Sequence, residues 1–165
     1  MKKASHPRAI EFHQVIQTVG LPHEVLEFEQ STRSAQDAAD AIGCELGQIV
    51  KSLIFKGRKS GKAILVLTSG SNRVDEKKVR ALVGEKLGKA DADFVREWTG
   101  YSIGGVPPFG HAQPAEIFMD EDFFQYETLW AAAGTPNAVF PIRPKELEKV
   151  SGAERAKVKI EANNA

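Results

Sequence analysis

The stretch IVKSLIFKGRKSGKAILVLT, residues 49–68, decides the fold. Residues 49–56 and 62–68 are rich in β-branched and aliphatic side chains, whereas residues 57–61 are polar and both begin and end with glycine. Two runs of strand composition joined by a short glycine-containing turn are typical of a β-hairpin. We therefore predict an antiparallel pair of strands as the framework of the molecule.

Lys51 is the unusual residue of the first predicted strand. Side chains alternate between the two faces of a strand, so Lys51 shares the more apolar face with Ile49, Leu53 and Phe55. An ammonium group there can reach water, bind an anionic partner, or lie in a pocket where desolvation lowers its pKa and makes it available to a ligand. The alternative is an inward-pointing charge that protects an edge strand from aggregation. The sequence leaves both interpretations open.

Turn residues and hydrophobic periodicity divide the rest of the chain into short elements of both kinds. Helices are predicted at residues 5–20, 34–43, 75–83 and 93–98 and from Pro144 onward. Short strands are predicted at residues 23–29, 101–103, 116–119, 129–133 and 138–142. We expect a mixed α/β fold, and 165 residues fit a single domain over residues 1–165.

Composition excludes several classes of protein. With 42% apolar and 27% charged residues, the chain is expected to be globular and soluble rather than disordered. It has no apolar run near the ~20 residues of a membrane span, and its N-terminus lacks the apolar core of a signal peptide, so we expect a cytoplasmic protein. The single cysteine, Cys44, is expected to be a buried thiol. No metal or cofactor is expected.

The charges balance overall but are distributed unevenly along the chain. Residues 51–89 hold eleven Lys and Arg against three acids, whereas residues 90–130 hold eight acids and one Arg. A basic section of this kind suits a phosphate-rich partner, because Lys and Arg release condensed counterions when they bind a nucleic-acid backbone. The alternative is a solvated surface on which the two sections neutralise each other.

Residues 104–110, GGVPPFG, form the second unusual stretch. Glycines let the backbone approach a ligand and leave amide N–H groups that can point at an oxyanion, while prolines hold the path rigid. Such a loop suits ester cleavage. The alternative is a tight structural crossover between strands.

Conventional nucleophile and metal motifs are missing from the sequence. It contains neither a Gly-x-Ser-x-Gly elbow nor a Walker-type phosphate loop, and its four histidines form no metal-binding pair, which excludes a zincin or a nucleotide hydrolase. His111 follows the glycine loop and is a candidate for substrate contact, with loop packing as the alternative. Asn137 is a weaker candidate, since its Gly-Thr-Pro-Asn turn already explains it.

Four segments occur together in an order and spacing that resemble a known family. They are STRSA at 31–35, IVKSLIF at 49–55, GSNRVD at 70–75 and GGVPPFG at 104–110. The chain resembles the YbaK/ProX-type aminoacyl-tRNA deacylases, which are related to the editing insertion domain of prolyl-tRNA synthetase. The resemblance covers residues 28–150 and implies a mixed, barrel-like sheet surrounded by helices, acting in trans to hydrolyse the ester of mischarged tRNA.

The resemblance also implies roles for individual residues. Lys51 corresponds to the essential lysine of the family, and residues 104–108 correspond to its Gly-x-x-x-Pro loop. The catalytic candidates are therefore Lys51, Gly104, Gly105 and Pro108. The substrate-binding candidates are Thr32, Ser52, Phe55, His111 and Asn137.

Residues 131–137, AAAGTPN, depart from family members that place a serine or histidine nearby. Three alanines and this turn are most similar to the free-standing subgroups that clear small residues such as alanine. The expected partners are aminoacyl-tRNA and, in addition, an aminoacyl-tRNA synthetase.

An aminoacyl ester is already activated, so positioning a water molecule opposite a polarised carbonyl can suffice for its hydrolysis. In this hypothesis the amides of Gly104 and Gly105 bind the carbonyl oxygen, and Lys51 anchors the terminal ribose or the carbonyl. A non-catalytic module that binds aminoacyl-tRNA or an amino acid is the alternative. A peptide or lipid esterase is disfavoured because no serine or cysteine has a recognisable base nearby.

Overall fold

The computed structural model describes residues 1–161 and contains five α-helices and nine strands within them. The strands are β1 Lys2–Lys3, β2 Leu26–Glu27, β3 Ile49–Gly57, β4 Ala63–Ser69, β5 Leu87–Lys89, β6 Glu116–Asp120, β7 Leu129–Ala132, β8 Ala138–Ile142 and β9 Glu154–Ala156. The helices are α1 Pro7–Thr18, α2 Ala35–Ile42, α3 Glu76–Val83, α4 Ala92–Thr99 and α5 Pro144–Ser151. Two short 3-10 helices span Leu46–Gln48 and Glu121–Gln125.

All nine strands belong to one mixed sheet in the order β1-β2-β8-β7-β3-β4-β6-β9, with β5 added against the end of β3. The predicted hairpin is confirmed: β3 and β4 are antiparallel, and Lys51 lies opposite Thr68. On its other side β3 runs parallel to β7, with Ile49 opposite Trp130. Because β3 is central, the interpretation of Lys51 as an edge-strand charge is wrong.

The fold class is confirmed as mixed α/β, but the sheet does not close. β1 and β9 are its outer strands, and no pairing within residues 1–161 joins them. The barrel-like closure that the resemblance implied is therefore not confirmed.

The core has two parts, one on each face of the sheet. Along β4, Leu65 and Leu67 belong to a large buried cluster, whereas Ile64 and Val66 belong to a smaller one. Successive side chains of a strand point to opposite faces, so the two clusters lie on opposite sides. The smaller cluster includes Val79 of α3, which places α3 on the same face as Ile64 and Val66.

The helix that follows the STRSA segment begins as its sequence predicts. The hydroxyl of Ser34 accepts a hydrogen bond from the Asp37 amide at 3.1 Å, and the Asp37 carboxylate accepts one from the Arg33 amide at 3.2 Å. The first bond satisfies an amide that the first turn leaves without a helical partner, and the second ties the residue before the N-cap to the helix. The helix ends at Gly43, whose φ of 84° suits glycine.

Several expectations are corrected by the structure. Residues 101–103 form a turn rather than a strand, because the Thr99 hydroxyl binds both the amide and the carbonyl of Tyr101 at the end of α4. The strand predicted at 23–29 is reduced to Leu26–Glu27. Cys44 is only partly buried. Strands β1, β5 and β9 were missed because two or three residues are too few to show an alternating pattern.

Two further observations concern residues 1–161. None of their helices combines the length and apolar composition that crossing a membrane requires. They also contain no cluster of three or more His, Cys, Asp or Glu side chains arranged to hold a metal ion. The alternation of charged and small residues after Ser151 predicts that the tail frays at residues 163–165, but residues 162–165 lie outside the described part of the chain.

Candidate active site

A cleft of about 370 Å³ lies where β3, β7, the start of α2 and the glycine loop meet. Lys51 and Gly104 both line it, although 53 residues separate them in the sequence. Most of its wall is apolar, including Phe28, Leu53 and Val106. The structure therefore brings the two unusual segments of the sequence to one site.

Lys51 points its partly buried side chain from β3 toward the loop that follows β4. Its Nζ donates a hydrogen bond to the backbone carbonyl of Asn72 at 2.6 Å. Burial and the nearby Arg73 cation lower the pKa of Lys51 below its ordinary value, and the negative charge of Asp120 opposes them. An ammonium has three donors, so two remain for a ligand.

The two glycines of the loop differ in their availability. The Gly105 amide donates to the Ser102 carbonyl at 3.0 Å, and the Gly105 carbonyl accepts from the Gly134 amide at 3.0 Å. A Cβ at Gly105 would lie 2.7 Å from the Cα of Thr135, so the residue is needed for close packing of two backbones. The expectation of a free Gly105 amide is therefore wrong.

Gly104, by contrast, is exposed at the rim of the cleft. Its φ of 93° lies in the region that favours glycine. Its amide donates no hydrogen bond to any residue in the described part of the chain. Gly104 is thus the candidate amide for binding a carbonyl oxygen.

Pro108 and His111 support the loop instead of lining the cleft. Pro108 is buried, and its neighbour Phe109 packs 5.3 Å from Phe12 of α1, measured between ring centroids. The His111 ring donates from Nε2 to the Pro107 carbonyl at 2.7 Å, and burial lowers the pKa of His111. The packing interpretation of His111 therefore fits its contacts, whereas direct substrate contact does not.

Of the other substrate-binding candidates, Thr32 and Ser52 line the cleft and Phe55 and Asn137 do not. Phe55 packs against the smaller core cluster. The side-chain amide of Asn137 donates to the Phe28 carbonyl at 3.0 Å, which ties β8 to the segment after β2. Asn137 is explained by this structural bond and by its turn.

Among the cleft residues that were not candidates from the sequence, Arg33, Ile103 and Trp130 have the side chains best placed to meet a ligand. Arg33 is exposed within the STRSA segment, and its guanidinium forms no ion pair with any of residues 1–161. Ile103 is 60% exposed, which is unusual for a large apolar side chain. The partly exposed Trp130 alternates with buried Leu129 and Ala131 along β7, a pattern that only the structure shows.

A basic surface lies at the turn end of the hairpin. It is formed by Arg58, Lys59, Arg80 and Lys86, with Glu85 between them. Arg80 belongs to α3, which packs on the face of the sheet that Lys51 and Phe55 share. Arg58 is seven residues beyond Lys51 along the hairpin, or roughly 23 Å.

The uneven distribution of charge persists in the folded chain. No ion pair in residues 1–161 joins the basic section 51–89 to the acidic section 90–130. Direct pairing therefore does not neutralise the two sections.

Comparisons with known proteins agree on one family. The family model described as "Aminoacyl-tRNA editing domain" matches residues 29–150. A Bacillus subtilis (strain 168) protein named "Uncharacterized protein YwhH" is 37% identical over 129 residues, covering 78% of this chain and 82% of that protein. An Enterococcus faecalis protein named "Putative Cys-tRNA(Pro)/Cys-tRNA(Cys) deacylase EbsC" is 26% identical over 160 residues, covering 95% of this chain and 93% of that protein.

A solved structure titled "Crystal structure of a putative trans-editing enzyme for prolyl tRNA synthetase" superposes with a TM-score of 0.90. It is 47% identical and covers 95% of this chain and 99% of its own. Bacterial proline–tRNA ligases also match, for example one from Bacillus licheniformis that is 32% identical over 72% of this chain and 21% of the ligase. Related sequences therefore occur both as separate chains and within larger ones.

Proposed function

Because the chain belongs to the aminoacyl-tRNA editing domain family, we propose that it hydrolyses the ester bond of mischarged aminoacyl-tRNA in trans. Family membership also confirms the resemblance that the four sequence segments indicated. The observation that carries the proposed activity is the single cleft shared by the Lys51 ammonium and the exposed Gly104 amide. One supplies a positive charge and the other a backbone donor, which together suit an ester whose carbonyl oxygen becomes negative.

The proposed reaction needs no side-chain nucleophile. A water molecule adds to the ester carbonyl carbon, and the carbonyl oxygen takes negative charge beside the Gly104 amide. The bond to the ribose oxygen then breaks, and a proton from the water passes to that oxygen. The ribose hydroxyl and the free amino acid are the products. Lys51 anchors the ribose or the carbonyl with the N–H groups that Asn72 leaves unused. Rate then comes from positioning and from charge stabilisation in a largely apolar cleft.

Trp130 is suited to stack on the terminal adenine of the tRNA. This residue lines the cleft and lies opposite Ile49, two positions before Lys51 on β3, so Trp130 and Lys51 share one face of the sheet. Stacking of a base on an aromatic ring needs no hydrogen-bond readout of the base, so it can hold the adenosine that ends every tRNA. The basic surface at residues 58, 59, 80 and 86 then lies at a distance where it can meet backbone phosphates farther along the acceptor stem.

We propose alanine as the amino acid removed. Ala35 and Ala38 of α2 and Ala132 of β7 line the cleft, so its wall combines small side chains with apolar character. Such a site favours a small aliphatic group over a charged one, because a buried charge without a partner is strongly disfavoured. The proposal further places the protein in the cytoplasm, with residues 1–165 acting as one domain beside an aminoacyl-tRNA synthetase.

The deciding experiment is a deacylation panel with alanyl-, seryl- and cysteinyl-tRNA. We expect ester loss to be fastest with alanyl-tRNA and to fall at least ~100-fold in Lys51→Ala, as for removal of one transition-state donor. Lys149→Ala is the matched control, since Lys149 is exposed on α5 away from the cleft. Circular dichroism of both variants checks that the fold is retained.

Two results would contradict the proposal in different ways. A Lys51→Ala variant with the wild-type rate removes Lys51 from the mechanism. Binding of the whole panel without turnover supports the non-catalytic module instead.

A further inference from the structure

The Lys51 ammonium is held by a loop that is itself held from another part of the sheet. The acceptor of its hydrogen bond is the backbone carbonyl of Asn72, in the loop between β4 and α3. The Asn72 amide donates to the Ser69 carbonyl at 2.9 Å, which closes a turn. The Asn72 side chain donates from Nδ2 to Asp120 and to Asp122, each at 2.8 Å. Three bonds therefore fix the residue that orients Lys51.

Asp120, at the end of β6, is the buried part of this arrangement. It is 1% exposed, and its Oδ2 also accepts a hydrogen bond from the Ser69 amide at 3.1 Å. Its Oδ1 accepts from the Asp122 amide at 3.0 Å. No Lys or Arg within residues 1–161 forms an ion pair with it. Asp122, by contrast, pairs with Lys159 at 2.8 Å.

The charged groups around Lys51 affect its ammonium form in opposite directions. Burial disfavours the ammonium form of Lys51, as does Arg73, which is adjacent to Asn72, whereas Asp120 favours the ammonium form. Asp122 binds the same Asn72 amide group. Lys159 compensates Asp122 directly. Asp120 is therefore the carboxylate that both holds the loop and acts on the charge of Lys51.

We propose that Asp120 and Asn72 are positioning residues that hold the Lys51 ammonium and point it into the cleft. Asn72 supplies the acceptor and Asp120 fixes Asn72 and offsets Arg73. The proposal rests on the proposed function only where it assigns Lys51 a contact with substrate. A purely structural role for Asp120 would alter stability without altering the ionisation of Lys51.

The test is a titration of the lysine ¹³Cε signals by NMR, which needs no substrate and no turnover. The Lys51 signal is assigned by its loss in Lys51→Ala. In Asp120→Asn we expect the pKa of Lys51 to fall by about one unit, because an opposite charge that favours the ammonium is removed. Asp122→Asn is the matched control, since it changes the other partner of Asn72, and the Lys51 titration should stay in place.

An unchanged Lys51 titration in Asp120→Asn overturns the proposal, as does an equal shift in both variants. Because no ester is involved, either result is distinguishable from failure of the deacylation panel.

A second variant covers the case in which Asp120→Asn does not fold. Asn72→Ala removes the side-chain bonds of a partly exposed loop residue while keeping its carbonyl. The readout is the Kd of a non-hydrolysable 3′-aminoacylamido-adenosine. We expect Asn72→Ala to weaken binding about tenfold when Lys51 is present. In a protein that already carries Lys51→Ala, we expect Asn72→Ala to cause no further loss, as for two residues that act as a unit. Equal losses in both backgrounds would show that Asn72 acts independently of Lys51.

Discussion

The hydroxyl groups of Ser52 and Thr68 show how unusual the surroundings of Lys51 are at the scale of single residues. Thr68 lies opposite Lys51 on β4, and Ser52 follows it on β3. Both hydroxyls are buried without a hydrogen-bond partner among residues 1–161. Each such group costs about 1–3 kcal/mol. Ser52 lines the cleft, where a ligand can supply the missing partner, whereas Thr68 is not part of the cleft lining.

The proposed stacking role of Trp130 can be tested by binding alone, without measuring hydrolysis. We expect Trp130→Leu to weaken binding of adenosine-ended RNA by about 1–3 kcal/mol, because leucine keeps the apolar bulk but removes the stacking face. Fluorescence titration with an uncharged acceptor minihelix measures it. Trp98→Leu is the control, since Trp98 packs against Phe94 in α4 at 5.8 Å between ring centroids. Equal affinities for the two variants would refute the stacking role.

At the scale of elements, the position of the glycine loop depends on α1. Phe12 of this helix packs against Phe109 of the loop, and Arg8 donates to the Gly100 carbonyl just before it. The start of α1 is in turn fixed by Glu27 of β2. Its carboxylate accepts from the Ser5 amide at 3.0 Å, the Ser5 hydroxyl at 2.8 Å and the His6 amide at 2.9 Å.

The hydrogen bonds between Glu27 and the start of α1 depend on pH. Burial alone would raise the pKa of Glu27, but the hydrogen bonds from His6 and Ser5 outweigh it, so the pKa lies below its ordinary 4.5. As the pH falls, the unfolded chain takes up the proton first. The stabilisation is therefore complete well above pH 4.5 and is lost as the pH falls through the folded-state pKa.

We expect Glu27→Gln to lower the free energy of unfolding by about 1.5–3 kcal/mol at neutral pH, the range for hydrogen bonds to a charged group. The difference from wild type should shrink below the pKa of the carboxyl group. Urea unfolding at neutral pH and again at a pH below the folded-state pKa measures both values. A difference that is the same under the two conditions would mean that the carboxylate charge plays no part.

At the scale of the whole molecule, the two faces of the sheet carry different core clusters and different functional residues. One face carries the large core cluster, which includes Phe12, Phe140 and Leu147. The other carries the smaller cluster, the Lys51 side chain and the basic surface near Arg58. A ligand that contacts Lys51 can therefore extend along this face toward Arg80, although Val50, Val106 and Ala131 of the large cluster also line the cleft.

This arrangement predicts a strong dependence of tRNA binding on salt. Removal of one phosphate-binding side chain should reduce the slope of log K against log salt by about one. We therefore expect Arg58→Ala and Arg80→Ala each to flatten the slope by that amount, as measured by filter binding between low and physiological salt. Lys149→Ala should leave the slope unchanged. A flat response in the wild-type protein would exclude docking of phosphates on this surface.

The sequence by itself determined the features that depend on near neighbours. The hairpin, the mixed fold class and the helix start at Ser34 follow from alternation, turn residues and capping, which operate over a few residues. Lys51 and the glycine loop were recognisable because each is unusual within its own segment. These local patterns also carried the resemblance to the family, which the match over residues 29–150 confirmed.

Only the tertiary structure decided which of these residues meet. Asn72 and Asp120 are 48 positions apart, and Trp130 reaches the cleft through a parallel pairing with β3 that no local pattern encodes. The structure likewise showed that the Gly105 amide is occupied, whereas the Gly104 amide has no partner among residues 1–161. The physical reason is that hydrogen-bond partners and burial are set by packing between distant segments, whereas propensity and periodicity report only on the segment itself.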